Sequence, residues 1–195
     1  MNFENHITLE NSRVRLEPLN ESHFMELLPI AENQPNLLQF SPSPFGNAEK
    51  LKENIQQAIQ GRIEKQRYPF AIFDKQKNRF IGSTSFGGIS VKDKRIEIGW
   101  TWLDKEVQGS GINFYCKHLL LKYAFENLEF ERVELKTDSR NLQSRKAIEK
   151  IGAKFEGEFR SHTLMPDGFR RNTVYYSILK SEWKEIEDSV FGEIR

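Results

Sequence analysis

This sequence has almost no cysteine, no long apolar run and no excess charge of either sign, and each shortage removes a class of protein. Cys116 is the one cysteine in 195 residues, so no disulfide can form within the chain. That count fits a reducing compartment. No apolar stretch approaches the roughly 20 residues that span a bilayer. The stretch Met1 to His6 has neither the basic start nor the apolar segment of a secretory signal. The expectation is a cytoplasmic protein without a membrane partner. Lys and Arg total 29 against 28 Asp and Glu, a formal net charge of +1, so bulk charge draws the chain to neither nucleic acid nor acidic lipid. His6, His23, His118 and His162 are scattered with no further cysteines beside them, and no metal site is expected.

What is present describes a globular chain. The length suits one domain, expected over 1–195, with a sizeable core. Fifteen Phe residues supply apolar bulk for that core and argue against disorder. Val14 to Leu19 alternates as a half-buried strand does, and Asn20 can cap a helix from about Glu21 to Ile30. The prolines from Pro35 to Pro44 mark a loop. Its Leu37, Leu38, Phe40 and Phe45 suit either a flap over the core or a wall of a substrate cleft. Leu51, Ile55, Ala58, Ile59 and Ile63 predict a helix over about 48–65. Strands follow at Phe70–Asp74 and Phe80–Phe86, joined by a short polar turn, and at Arg95–Trp102. A helix is expected from Ile112 to about Asn127, a strand at Val133–Thr137 and a helix over Asn141–Ile151. A closing hairpin turns at Met165–Gly168. The fold class expected is α/β. Its mixed, mostly antiparallel twisted sheet holds one central parallel pair and is flanked by helices.

The chemistry concentrates in Gln108-Gly109-Ser110-Gly111-Ile112-Asn113, between a strand and a helix. The glycines let the backbone turn sharply and approach a ligand. The first N–H groups of the helix lack internal partners and, with the helix dipole, form an anion site. A dinucleotide fingerprint would need a third glycine where Phe114 stands, and would open a parallel sheet rather than follow a hairpin. A nucleoside-triphosphate loop would need Gly-Lys-Ser/Thr, which is missing.

With these two excluded, the segment resembles the central motif Gln/Arg-x-x-Gly-x-Gly/Ala of the GNAT acetyltransferase superfamily, with Asn113 at the position where a small residue is usual. Asn141-Leu142-Gln143-Ser144, continuing through Ala147 to Gly157, is similar to that family's second cofactor segment, and Val14–Leu19 and Ile96–Trp100 to its opening and fourth strands. The likeness covers about Arg13 to Trp183 and is strongest to the branch of ribosomal-protein-alanine acetyltransferases.

The resemblance implies acetyl-coenzyme A as co-substrate and no metal. The pantetheine arm would lie between Ile96–Trp102 and Val133–Thr137, extending the first strand's hydrogen bonding. The pyrophosphate would meet the amides from Gly109 to Asn113, that is Gly109, Ser110, Gly111, Ile112 and Asn113, with Gln108 bordering it and Asn141 on the second segment. Lys117, Arg145, Lys146 and Lys150 are candidates for the outer phosphate, though for each the favoured reading is a solvated helix residue. Glu97, read as sharing a strand face with Gly99 and Thr101, is the candidate base, or else an exposed glutamate or ion-pair member; Glu106 is the second choice. Ser144 is the candidate donor to the thiolate, or simply part of a helix turn capped by Asn141. Tyr175 and Tyr176 face opposite ways, so only one can reach the cleft. Cys116, on the apolar helix face, reads as a core thiol rather than a nucleophile.

The implied activity is N-acetylation of a primary amine, on a protein N-terminus or a small molecule, by direct transfer. The rival is a non-catalytic acyl-coenzyme A sensor. Acceptor walls are expected from Pro35–Phe45, Phe86–Gly88 and Met165–Arg170, where acidic groups are few apart from Asp167, so a strongly cationic acceptor is not favoured. The sequence is compatible with a homodimer.

Overall fold

The computed structural model describes residues 1–194; residue 195, the end of the expected domain, lies outside them. The chain runs β1 (Leu9–Glu10), β2 (Val14–Pro18), α1 (Phe24–Asn33), α2 (Ala48–Ile63), β3 (Arg67–Asp74), β4 (Arg79–Ser90) and β5 (Arg95–Leu103). It continues with α3 (Ile112–Lys122), β6 (Arg132–Asp138), α4 (Leu142–Lys150), β7 (Lys154–Leu164), β8 (Arg170–Leu179) and α5 (Lys180–Ser189). All eight strands share one sheet in the order β1-β2-β3-β4-β5-β6-β8-β7. Every neighbouring pair is antiparallel except β5 and β6.

Strand alternation sends side chains to two cores, one on each side of the sheet. Ile96, Ile98, Val133 and Tyr176 face α3 and α5, where they meet Cys116, Leu120, Phe125 and Trp183. Ala71, Phe80 and Trp102 face α1 and α2, against Leu27, Leu51, Ile55 and Ala58. Asn20 caps the short 3-10 turn Glu21–His23 before α1 by accepting from the Ser22 amide, and Asn47 caps α2 by accepting from the Lys50 amide. Each such cap is worth about 1 kcal/mol. α3 passes into a π turn, Tyr123–Asn127, which completes the helix expected to Asn127. Two elements escape the sequence reading, the two-residue β1 and α5. Trp183 and Ile186 within α5 and Val190 just after it recur at helical spacing, a signal that could have marked it. Among the described residues no helix is long and apolar enough to cross a membrane.

The site is made by two irregularities in the middle of the sheet. β5 and β6 pair only over Arg95↔Arg132, Ile96↔Val133 and Glu97↔Glu134. Past Glu97, β5 stays with β4 and β6 stays with β8, so the two strands fork. The second irregularity is a bulge. Ser83 pairs with Trp102 and Ser85 with Gly99, leaving Trp100 and Thr101 both opposite Thr84. Trp100 takes up the extra residue at φ +51°, strained for a bulky side chain.

Candidate active site

A cavity of about 590 Å³ runs through the fork and is lined by residues from both sides of the sheet. Its walls bring together Glu97, Gln108, Gly109, Asn113, Asn141 and Ser144 from the sequence reading. Ser110, Gly111 and Ile112 do not line it. The Ile112 side chain is packed in the core, and Ser110 turns back so that both its amide and its hydroxyl donate to the Val107 carbonyl, at 3.3 and 2.6 Å.

At the α3 entrance Gly111 is the N-cap at φ +83° and Gly109 stands at φ +79°. An added Cβ at either would meet nothing within 4 Å, so the space above the loop is open. Because Ser110 spends its amide on Val107, the loop offers outward the amides of Gly109, Gly111, Ile112 and Asn113, a narrower donor set than the sequence suggested. Asn113 Oδ1 is buried and has no hydrogen-bond partner. An orphaned acceptor is costly unless a ligand supplies the donor. Gln108 ties the rim together, donating from Nε2 to the Leu103 carbonyl at 3.0 Å and accepting from Gln143 Nε2 at 3.1 Å. Open glycines, free amides and an orphaned acceptor fit a phosphorylated co-substrate with amide groups along its arm.

Across the gap, Asn141 caps α4 through Oδ1, which accepts the Ser144 amide at 3.0 Å. Ser144 lines the cavity one turn into α4. The tyrosine pair divides as alternation requires: Tyr176 is buried on the α3 side with its hydroxyl between Arg145 and Glu149, at 3.1 and 2.9 Å. Tyr175 lies on the opposite face beside Lys136, whose Nζ is 5.8 Å from the ring centre.

Glu97 is buried at the crotch of the fork, where Lys136 Nζ reaches its Oε2 at 2.8 Å. The expectation that Glu97, Gly99 and Thr101 share a face fails, because the bulge at Trp100 reverses the alternation. Ile98 faces α3 and Trp102 faces α2, so Thr101 points to the α3 side. There Thr101 Oγ1 lies 2.8 Å from Thr84 Oγ1 and accepts from Lys117 Nζ at 2.7 Å.

Lys117 is the largest departure from the sequence reading. It is not a surface partner for an outer phosphate but is 5% exposed in the cavity wall. Burial pushes its ammonium down to about 8. Arg145, half-buried, has its guanidinium engaged by Tyr176 and the Ser139 carbonyl. Glu106 pairs with Arg79 at 2.9 Å on the surface, outside the cavity walls. Cys116 is buried, which pushes its thiol up to about 12, as a core residue rather than a nucleophile. Two of the three expected acceptor walls shift: Leu37 to Ser43 line the cavity as expected, but Arg67, His162, Thr163 and Arg171 replace the Phe86–Gly88 and Met165–Arg170 segments. Phe86 is instead in the core on the α3 side.

A forked parallel pair with a glycine-lined helix start at its mouth defines an acyl-coenzyme A transferase site. The match to the acetyltransferase (GNAT) domain model covers residues 13–154. YdaF of Bacillus subtilis (strain 168), provisionally named a ribosomal N-acetyltransferase, is 33% identical over 188 residues, 92% of this chain and 94% of that protein. A GCN5-related N-acetyltransferase from Brucella melitensis superposes with a TM-score of 0.90 at 25% identity, over 100% of this chain and 88% of that one. A ribosomal-protein-S5-alanine acetyltransferase from Vibrio fischeri shares the fold, with a TM-score of 0.73 at 20% identity over 91% of this chain and 98% of that one. The chain belongs to the GNAT acetyltransferase family and is an acetyl-coenzyme A-dependent acyltransferase.

Proposed function

We propose that this enzyme moves the acetyl group of acetyl-coenzyme A directly to a primary amine, on a protein N-terminus or a small molecule. The observation that carries the reading is the fork: pairing stops at Glu97↔Glu134, and the gap leads to free amides at the start of α3. The co-substrate supplies the activated acyl group. The amides of Gly109, Gly111, Ile112 and Asn113 hold its diphosphate, with Gln108 closing the rim and Asn113 Oδ1 accepting from the bound molecule. Asn141 and the unpaired edge of β5 align the pantetheine arm.

Glu97 takes the proton that leaves the amine, directly or through one water, as the new N–C bond forms. A backbone N–H between Gly99 and Thr101 donates to the acyl oxygen. Ser144 donates a hydrogen bond to the sulfur as the C–S bond breaks, and the proton lost by the amine is the one the thiol finally gains. Lys136 holds the Glu97 carboxylate aimed across the fork. The name of YdaF supports a ribosomal-protein N-terminus as one acceptor class. Free-thiol release from acetyl-coenzyme A across a panel of N-terminal peptides and small amines tests the reading. Silence across the panel, with co-substrate binding demonstrated by thermal shift, would overturn it.

A further inference from the structure

The acceptor side of the cavity is more cationic than an amine substrate alone explains. The charged side chains lining the cavity are Arg67, Lys117, Lys136 and Arg171, against Glu97 as the one carboxylate. Glu97 is already committed to Lys136. Among the described residues, neither Arg67 nor Arg171 comes within 4.0 Å of a carboxylate. Asp138, which bears on Arg171, is bonded to Arg140 at 2.6 Å.

Both guanidiniums are built into the wall. Arg67 Nε donates to Ser85 Oγ at 2.8 Å, and the guanidinium lies 4.9 Å from the centre of the Trp100 ring. Arg171 is 7% exposed, with Nε donating to Thr173 Oγ1 at 3.2 Å and Nη1 to the Phe40 carbonyl at 2.8 Å. An arginine has five N–H donors, so each keeps donors for a ligand. Burial lowers both, Arg67 to about 10, and both stay charged at neutral pH. A buried cation without an anion is unfavourable, and a planar guanidinium suits the two oxygens of a carboxylate or phosphate.

Their position separates them from the coenzyme's phosphates. Arg171 bonds the α1–α2 loop through Phe40, and the Arg67 side-chain stem lies against Gly61 of α2, whereas the glycine loop opens α3 on the other face. Register adds a distance. Arg67 pairs with Gly87 and Gly87 with Glu97, so Arg67 and Glu97 stand in one cross-strand row with side chains on the same face. Strands lie 4.7–4.9 Å apart, so their backbones are roughly 10 Å apart. The Arg67 guanidinium covers part of that distance over the Trp100 ring.

We infer that the acceptor is an amine that also carries an anionic oxygen group a few bonds away, with Arg67 binding that group and Arg171 reinforcing the charge. This rests on the acetyl-transfer reading, with Glu97 at the amine.

The test uses matched pairs: β-alanine against β-alaninamide, phosphoethanolamine against ethanolamine, and N-terminal peptides with Asp or Glu at the second position against Asn or Gln. For each pair, kcat/KM is measured with acetyl-coenzyme A, and equilibrium binding is measured on protein saturated with coenzyme A. At least one anionic member should exceed its neutral partner tenfold or more in both, and the arm that does so names the source of the charge. Arg67→Gln should abolish that ratio and Arg67→Lys restore part of it, with coenzyme A affinity unchanged. Equal binding within every pair, binding of none, or a ratio that survives Arg67→Gln combined with Arg171→Gln overturns the inference. Turnover without charge preference sinks the inference alone. A charge preference in binding without turnover supports the anion subsite and sinks acetyl transfer.

Discussion

The carboxylate of Glu97 lies over the backbone of Gly99, so closely that a β-carbon at position 99 would stand 2.8 Å from Oε1. The glycine therefore reserves the space in which Glu97 meets Lys136 at the fork. Gly99→Ala should displace that carboxylate and lower kcat at least tenfold. Glu97→Gln should lower kcat similarly. Coenzyme A affinity should change less than twofold in either, by calorimetry. A Gly99→Ala enzyme with normal kcat would show that Glu97 is only an ion-pair member.

Gly109 and Gly111 are held at positive φ with open space where a side chain would sit. Alanine at Gly111 should therefore destabilise the free protein by only about 1–2 kcal/mol, the backbone strain of an L-residue in that region. Its effect on acetyl-coenzyme A affinity should be much larger, tenfold or more, because the new methyl occupies the diphosphate's approach. Denaturant unfolding and calorimetry on the same variant separate the two.

Lys117 gives a pH prediction with a definite sign. Its folded-state pKa of about 8 lies below the ordinary 10.5, so between those values the unfolded chain holds the extra proton. Stability then rises with pH across that window, and the burial penalty is fully present below it. Lys117→Met should stabilise the protein at pH 7 by on the order of 1–3 kcal/mol. The gain should shrink by pH 10, read from urea unfolding at the two pH values. No pH dependence of the gain would contradict the buried-ammonium assignment.

A β-carbon on Gly87 would come 2.4 Å from the Trp100 ring, on which Arg67 is stacked. Gly87→Ala should therefore move both and raise KM for the acceptor severalfold while leaving KM for acetyl-coenzyme A unchanged. Steady-state kinetics with each substrate varied in turn checks the split.

The Cys116 thiol, buried and raised to about 12, should not react with a thiol reagent at pH 8 until the protein unfolds. Cys116→Ala should retain kcat, with a loss limited to stability. Rapid labelling of the native protein, or loss of turnover in the variant, would reopen the nucleophile reading.

Much of the scaffold was legible because it rests on local rules. Alternation marked β2, strand-forming runs between turn residues marked β3 and β4, Asn20 and Asn141 stand where caps are needed, and two glycines precede a helix start. Such signals depend on residues a few positions apart. The candidate site was legible in the same degree: the loop and Asn141 follow from motif spacing, and Glu97 and Ser144 line the cavity as members of recognisable segments. Arg67 and Arg171 were not, since nothing within β3 or β8 indicates that Trp100 and the α1–α2 loop will bury them.

The sequence by itself determined the order of elements, the apolar faces of its strands and the position of an anion-binding helix entrance, all set by backbone geometry and short-range periodicity. Tertiary structure alone decided which way Thr101 points, because one extra residue at Trp100, accommodated against Thr84 on a neighbouring strand, reverses every side chain after it. It also decided that Lys117 would lie inside the cavity wall rather than in water, and that the arginines would outnumber free carboxylates there. Charge and burial are properties of what packs together, and neighbours from other elements, such as Phe40 beside Arg171 and Thr101 beside Lys117, are supplied only by the fold.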